Sequence, residues 1–418
     1  MSLQFITGGS GAGKSEYLSR LVCEESVRRP HDNFIVVVPE QYTMETQKKL
    51  VHMHSRKGIL NIDVVSFERL AYKVFEELGG GNRPVLDDTG KNLIVRRVLE
   101  KEKKKLDYFG SSIEKTGFVS ELKSVISELL QYGITPQQLG EIGENVKEKQ
   151  QLSAKLKDIR LVYEEFMAFL STNYITSEEI LDVLCGLVEK SKLIAGSEII
   201  FDGFTGFTPI QYKLMRLLLV YSKGIKISVT IDKKERPTGH EGWNNLFFMS
   251  KEMMNRLIAI CEEEGINVDD TVCVDRDINY RYEGAKDLAY LERNLFRYKG
   301  GVYTGTPENI RIYEGSNPKE ELQYIVSEIL QLTRKEGFRY RDIAVVTADL
   351  ETYGKVAANM MKQNDIPAFL DYKRSVAANP YVEMLCSALE IVEKGYPYDT
   401  MFRYLRTGLT GISRHDID

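Results

Sequence analysis

Residues 8–15 read Gly-Gly-Ser-Gly-Ala-Gly-Lys-Ser and match the phosphate-binding loop pattern GxxxxGK(S/T) at every defined position. Before them, Leu3, Phe5 and Ile6 predict a short buried strand, and after them residues 16–27 have the apolar spacing of a helix. A glycine-rich turn that fits the pattern by chance is the alternative. The strand before the loop and the helix after it favour a true phosphate-binding loop.

The residue types of this loop are those that a nucleotide phosphate requires. Glycines let successive backbone N–H groups point at an anion, and the following helix adds its positive N-terminal end. We expect Lys14 to meet the terminal phosphates and the Ser15 hydroxyl to bind Mg2+. The sequence therefore predicts an ATP–Mg2+ site made by Gly8, Gly9, Ser10, Gly11, Ala12, Gly13, Lys14 and Ser15.

Length and composition limit the class of protein. At 418 residues with 43% apolar content, the chain has room for two or more domains with real cores. A net charge of -5 neither requires nor excludes DNA, so any contact is expected in a local groove. The five cysteines lie far apart with no CxxC, which argues against zinc or an iron–sulfur cluster. With no signal-peptide pattern and no apolar run long enough for a bilayer, we expect a cytoplasmic protein without membrane contact.

Strand and helix patterns alternate around the loop. Residues 34–38 form an uninterrupted apolar run, which is typical of a parallel strand buried on both faces. Residues 63–67 predict another strand, followed by a helical pattern that ends at the glycines 79–81. Strands predicted at 198–202 and 225–231 extend the same organisation. This is the βαβ arrangement that a phosphate-binding-loop domain requires.

Between residues 86 and 192 the apolar residues keep helical spacing, and we predict no strand there. Residues 176–179 read Thr-Ser-Glu-Glu, a capping-box pattern that predicts the start of a helix. The sequence therefore predicts a helical domain inserted into the α/β domain. A lysine-rich stretch within it is either a solvated face, as such runs usually are, or a contact with DNA: Lys101, Lys103, Lys104 and Lys105.

A second α/β pattern begins with a predicted strand at 310–313 and continues with strands at 343–347 and 366–369 and helices between and after them. Residues 239–304 are aromatic and charged, and the single element predicted there is a helix near 251–264.

The Mg2+ of a nucleotide site usually needs a second acid at a strand end, and Asp202 follows a predicted strand. The ten residues that start there resemble the DExQDxxPxQ motif of superfamily 1 helicases of the UvrD/RecB type, with Asp202, Pro209 and Gln211 at matching positions. Gly203 stands where those helicases have the catalytic Glu, and Thr205 where they have a Gln. A surface acid at a strand end is the alternative for Asp202.

Two more segments depart from the helicase pattern. Residues 231–235 follow a strand where those helicases have GDxxQS, but they lack the Gln. Residues 342–349 are similar to the DIAVLxR motif, but they lack the Arg. Because a positioned general base is worth roughly 10²–10⁴ in rate and an arginine finger roughly 10³–10⁵, we expect ATP binding with weak or no hydrolysis. Glu198, or an arginine of a partner subunit, would be the compensating group.

Taken together, these motifs resemble the N-terminal, helicase-like region of the AddB family, which belongs to the bacterial AddAB helicase–nucleases. The resemblance covers nearly the whole chain and is carried by the loop, by residues 37–41, 65–67 and 202–205, and by the Pro209/Gln211 pair.

The resemblance implies an α/β fold with a P-loop (RecA-like) parallel-sheet domain at 1–85 plus 193–300 and a helical insertion at 86–192. It implies part of a second RecA-like domain at 305–372 and the start of a helical domain at 373–418.

It also implies a heterodimer with an AddA-like helicase/nuclease subunit, single-stranded and duplex DNA ends as partners, and a role in processing double-strand breaks for homologous recombination. A further implication is recognition of a regulatory DNA sequence. Because the family's nuclease domain and iron–sulfur cysteines lie in another region, we expect no nuclease activity and no iron–sulfur cluster from this chain.

By the same resemblance, the loops at two strand ends face single-stranded DNA and supply Pro39, Gln41, Thr43, Ser66 and Phe67. The Phe67 ring either stacks on a base, which is worth about 1–3 kcal/mol, or is a core aromatic at the start of a helix.

Three functions remain in view: a degenerate helicase-like subunit that binds ATP and DNA beside a true motor, an active superfamily 1 helicase, and a P-loop kinase for a small molecule. The missing Glu, Gln and Arg argue against the second. The helical insertion and the second α/β pattern argue against the third, because a small kinase needs neither.

Overall fold

The computed structural model describes residues 1–79, 84–115, 117–146, 149–176, 178–235, 242–297, 300–371, 376 and 378–413. The chain divides into two units, Met1–Ile310 and Arg311–Asp418.

The strands of the described residues all belong to the first unit. They are β1 (Ser2–Gly8), β2 (Asn33–Val37), β3 (Ile62–Val65), β4 (Val85–Leu86), β5 (Ile175–Thr176), β6 (Ser197–Phe201), β7 (Gly224–Thr230), β8 (Asn267–Val268) and β9 (Val272–Cys273).

Helices surround these strands and make up the second unit. In the first unit they are α1 (Lys14–Arg28), α2 (Thr43–Met53), α3 (Phe67–Leu78), α4 (Asp88–Glu102), α5 (Phe118–Gln131), α6 (Pro136–Asn145), α7 (Gln150–Asn173), α8 (Ile180–Cys185), α9 (Lys192–Ala195), α10 (Pro209–Tyr221), α11 (Phe248–Glu264) and α12 (Lys286–Asn294). In the second unit they are α13 (Pro318–Lys335), α14 (Leu350–Gln363), α15 (Pro380–Glu393) and α16 (Tyr398–Leu405).

The main sheet is parallel and has the order β3-β2-β6-β7-β1-β8, with β9 also pairing with β1. The strand β7 therefore lies between β6 and β1. Because the carboxyl ends of parallel strands meet at one edge of a sheet, this order brings the loop after β1 and Asp202 after β6 to the same edge. The α/β fold class predicted from the sequence is confirmed.

Alternate residues of the central strands pack on opposite faces of the sheet. Along β2, Ile35 and Val37 join the core on one face, whereas Phe34 and Val36 join the core on the other. Burial of each such side chain contributes roughly 1.5–3 kcal/mol. Covering both faces explains why these strands read as continuous apolar runs instead of alternating patterns.

The inserted region has its own core between residues 86 and 170, built mainly from α4, α5 and α7, whereas Ile175, Ile180, Leu184 and Val188 pack into the core of the main sheet. One prediction fails here, because Ile175–Thr176 forms the strand β5, which pairs in parallel with Val85–Leu86. Two residues are too few to show a period, so the pattern could not reveal them. The capping box is present, since Thr176 N–H donates to Glu179 Oε2 at 2.8 Å and Glu179 N–H donates to Thr176 Oγ1 at 3.3 Å.

The lysine-rich stretch lies on the surface and faces acids. Lys101 contacts Glu165 at 2.6 Å, and Lys103 contacts Glu114 at 2.9 Å. Lys105 contacts Glu102 at 2.6 Å. These pairs favour the solvated-face interpretation over a DNA contact.

In the second unit, α13 and α14 pack through Val326, Ile329 and Met361. The strands predicted at 310–313, 343–347 and 366–369 are absent from the described residues, where these segments lie outside any sheet. A strand needs a neighbour for its N–H and C=O groups and a covered face for its side chains. Here Ile312, Val346 and Phe369 are more than nine-tenths exposed. The second RecA-like domain stays a prediction.

Among the described residues, none of the helices is both long and apolar enough to cross a lipid bilayer.

Candidate nucleotide-binding site

The loop leaves β1 at Gly8 and enters α1 at Lys14, as the motif predicts. Gly11 and Gly13 have φ of +70° and +95°, a backbone region that L side chains rarely adopt. A Cβ on Gly11 would also lie 2.5 Å from Arg281 Cβ. Both positions therefore favour glycine, because a side chain there would be strained.

Lys14 lies folded over its own loop. Its Nζ donates to Gly8 O and Gly9 O, each at 2.9 Å. Burial lowers the pKa of Lys14, although the carboxylates of Asp202 and Asp275 act in the opposite direction. The ammonium is thus bound to two neutral carbonyl oxygens. A phosphate oxygen would replace them as its acceptor, because a charged acceptor makes the stronger hydrogen bond.

Asp202 follows β6, and the neighbouring strand fixes its carboxylate. The Ser228 hydroxyl in β7 donates to Asp202 Oδ1 at 2.5 Å and accepts from Gly203 N–H at 3.3 Å. The Ser15 hydroxyl at the start of α1 and the Asp202 carboxylate are oxygen ligands of the kind that Mg2+ prefers.

The backbone at Gly203 explains the residue found there. Its φ is +86°, and a Cβ would lie 3.4 Å from Pro39 Cδ. A glutamate at this position would therefore be strained. Nor does Glu198 replace it, because Arg29 holds its carboxylate at 2.5 Å, Lys226 also binds it, and it lies four residues, about 13 Å, back along β6.

The loop, Asp202 and Gly203 line a cavity of 380 Å³. It contains three cationic side chains, those of Lys14, Lys49 and Arg281, and two carboxylates, those of Glu16 and Asp202. Lys49 pairs with Glu16 at 3.1 Å. A cavity with a glycine backbone cradle, three cations and a supported acid fits a nucleoside triphosphate with Mg2+.

Lys49 and Arg281 also line this cavity, although no sequence motif marks them as part of the site. Arg281 lies in the 3₁₀ turn Tyr280–Tyr282, outside the one helix that the sequence predicts for residues 239–304. Its backbone N–H donates to Gly11 O at 3.3 Å, and its Nη1 donates to Ser10 Oγ at 3.4 Å. The aromatic and charged composition of residues 239–304 is the one sequence feature that could have drawn attention to Arg281, and it does not indicate that Arg281 contacts the loop.

The residues expected to contact DNA divide into two kinds. Gln41 is exposed, and Pro39 half-buried, at the end of β2. Three others are buried: Thr43 Oγ1 donates to Glu40 O at 2.9 Å, Ser66 caps α3, and Phe67 packs against Phe201, Phe204 and Phe207 at 5.4–6.0 Å. Phe67 is 8% exposed, which favours the core interpretation of its ring.

Within the described residues, no group of three or more His, Cys, Asp or Glu side chains is arranged to hold a metal ion.

The fold and the loop define an α/β protein with a parallel sheet and a phosphate-binding-loop sequence after its first strand. Residues 5–292 match the family described as ADDB, N-terminal. The chain belongs to this family, as the resemblance of its motifs predicted.

Relatives that are named as the B subunit of an ATP-dependent helicase/deoxyribonuclease align with the whole chain. The protein of Lachnoclostridium phytofermentans is 42% identical, and 37% of its length is covered. Those of Caldanaerobacter subterraneus subsp. tengcongensis and Clostridioides difficile are each 36% identical, with 36% of their length covered. The chain thus spans a little over a third of the length of these relatives.

Proposed function

We propose that this chain is the ATP-binding, helicase-like part of a helicase–nuclease subunit that processes DNA double-strand breaks for homologous recombination in the cytoplasm. The observation that carries the proposal is the loop at 8–15 facing Asp202, with Gly203 in a backbone conformation that disfavours the usual acid. The names of the relatives support the helicase–nuclease setting.

In this proposal the chain binds the nucleotide and hardly hydrolyses it. The loop N–H groups and Lys14 hold the phosphates, Arg281 adds a cation beside the loop, and Ser15 with Asp202 holds Mg2+. The metal supplies neutralisation of phosphate charge when it is bound. Because Gly203 offers no carboxylate to orient a water, the bound ATP serves structure or regulation.

We also propose the partners that the family resemblance implies. An AddA-like subunit would provide the motor and form the heterodimer, and DNA ends would be the common substrate. Of the residues expected to contact the single strand, Gln41 is exposed at the end of β2, and Tyr42 is an exposed aromatic beside it. Nuclease activity and an iron–sulfur cluster are not expected of this chain.

The test is titration of the chain with a magnesium complex of a non-hydrolysable ATP analogue, together with steady-state ATPase with and without single-stranded DNA. We expect saturable binding that Lys14→Ala weakens by at least tenfold through loss of a charge-assisted contact. Lys157→Ala is the matched control, because Lys157 is exposed in the insertion and pairs with Asp107.

Equal nucleotide affinity in the parent chain and Lys14→Ala would refute the proposed binding site. Turnover above about 1 s⁻¹, within the usual enzyme range, that is lost in Lys14→Ala would instead support an active helicase. Transfer of phosphate to a small molecule would support the kinase alternative.

A further inference from the structure

Side chains from a distant segment hold both backbone polar groups of Ser10, in the middle of the loop. Asn279 Nδ2 donates to Ser10 O at 3.3 Å, and Ser10 N–H donates to Glu292 Oε1 at 3.1 Å. Asn279 is itself fixed, since it is 3% exposed and its Oδ1 accepts from Arg276 N–H at 3.1 Å. A carboxylate thus occupies one of the backbone donors that a phosphate-binding loop offers to its ligand.

The surroundings of Glu292 disfavour a second negative charge. Burial, together with the carboxylates of Asp275 and Asp232, raises the pKa of Glu292, while its bond from Ser10 N–H and the nearby Arg293 act in the opposite direction. A phosphate that approached the same N–H would meet the Glu292 carboxylate as a competing acceptor and as a like charge.

The other end of the same helix holds the chain that leads out of the first unit. Asp287, in the first turn of α12, accepts from Glu308 N–H at 2.9 Å, Asn309 N–H at 2.7 Å and Asn309 Nδ2 at 2.9 Å. Asp287 and Glu292 are five residues apart on one helix, about 7.5 Å, so one rigid element carries both contacts.

We propose that Glu292 competes with a nucleotide phosphate for the Ser10 N–H, and that its displacement shifts α12 and loosens the hold of Asp287 on residues 308–309. This inference depends on the nucleotide binding proposed above. It makes Glu292 an affinity-determining residue, and it makes α12 the element that reports nucleotide occupancy to the end of the first unit.

The first measurement is the affinity for a magnesium complex of a non-hydrolysable ATP analogue, by calorimetry. Glu292→Gln keeps an acceptor for Ser10 N–H and removes the charge, so we expect about tenfold tighter binding, within the range of known couplings between sites. Glu283→Gln is the matched control, because Glu283 is exposed near the same turn and contacts Arg276 only at 3.7 Å. Its affinity should equal that of the parent chain.

The second measurement is hydrogen exchange at the backbone amides of residues 308 and 309. We expect the analogue to speed their exchange in the parent chain, and Asp287→Asn to speed it without nucleotide. Saturable nucleotide binding that leaves this exchange unchanged, or equal or weaker affinity in a folded Glu292→Gln, would overturn this inference and leave the proposed function standing. Failure of the parent chain and of Glu292→Gln to bind the analogue at all would overturn both.

Discussion

The Ser228 hydroxyl donates to the Asp202 carboxylate over 2.5 Å, so that a side chain of β7 orients the acid that ends β6. The same hydroxyl accepts from Gly203 N–H. One serine therefore fixes both the metal-binding acid and the glycine that follows it.

Replacing this hydroxyl tests its role. Ser228→Ala should weaken magnesium-dependent nucleotide binding by about tenfold, since loss of a group that orients a metal ligand typically costs 10–100-fold. The measurement is nucleotide titration with and without Mg2+. The control is Ser222→Ala, because Ser222 is also buried and its hydroxyl has no hydrogen-bond partner within the described residues. Equal losses in the two variants would contradict a specific role for Ser228.

Introducing the missing acid at Gly203 should not create a helicase-type ATPase. The φ of +86° costs a side chain about 1–2 kcal/mol, and the new Cβ would contact Pro39. We expect Gly203→Glu and Gly203→Ala to lower the free energy of unfolding by similar amounts and to leave ATP turnover unchanged. The checks are denaturant unfolding and steady-state ATPase. A tenfold rise in turnover in Gly203→Glu alone would show that this backbone adapts.

The aromatic ring of Phe67 should matter for stability more than for DNA. We expect Phe67→Ala to cost about 3–5 kcal/mol of unfolding free energy, as for other buried aromatics. Phe67→Leu should keep single-strand affinity, measured by fluorescence anisotropy. Tyr42→Ala is the contrasting variant, because Tyr42 is 49% exposed and a stacked base is worth about 1–3 kcal/mol. If Phe67→Leu weakened DNA binding and Tyr42→Ala did not, the stacking interpretation of Phe67 would be restored.

Acid should weaken the inserted helical region through Glu178. Lys91 Nζ, in a side chain 3% exposed, donates to both carboxylate oxygens of Glu178 at 2.8 Å. Burial, the largest single influence, would raise the pKa of Glu178, but the hydrogen bond and charge of Lys91, together with further hydrogen bonds to the carboxylate, outweigh it and the pKa is lowered. The contribution to stability is therefore fully present above the unfolded pKa of about 4.3 and is lost as pH falls through the lower folded value.

The matching experiment is urea unfolding at several pH values. Glu178→Gln should cost about 3 kcal/mol at neutral pH and flatten the acid dependence below pH 5, because it leaves Lys91 buried without its principal anion. Glu114→Gln removes an acid that is 84% exposed and should change stability by less than about 0.5 kcal/mol. Parallel pH profiles of Glu178→Gln and the parent chain would refute the assignment.

The sequence predicts those parts of the candidate site that lie within one strand–loop–helix unit or at a strand end, and the fold brings them to one cavity. The loop and Asp202 can be recognised as candidate site residues because each lies in a motif of consecutive residues. Arg281 and Glu292 could not, because only the folded chain brings them to Ser10 of the loop, from 271 and 282 positions away. The strands β8 and β9 were also missed, since two residues carry no periodicity.

The order of strands in the sheet determines when β1 can find its partner strands during synthesis. The strand β1 leaves the ribosome first, yet its partners β7, β8 and β9 lie between residues 224 and 273. At about 5–20 residues per second, this strand and the loop behind it wait unpaired for roughly 10–50 s. Meanwhile β2 pairs with β3, and the insertion completes its own core from nearby residues. Nascent chains that have passed the insertion but not yet reached β7 would therefore contain a folded helical insertion and an unpaired β1, and an apolar strand exposed for that time is a natural target for chaperones.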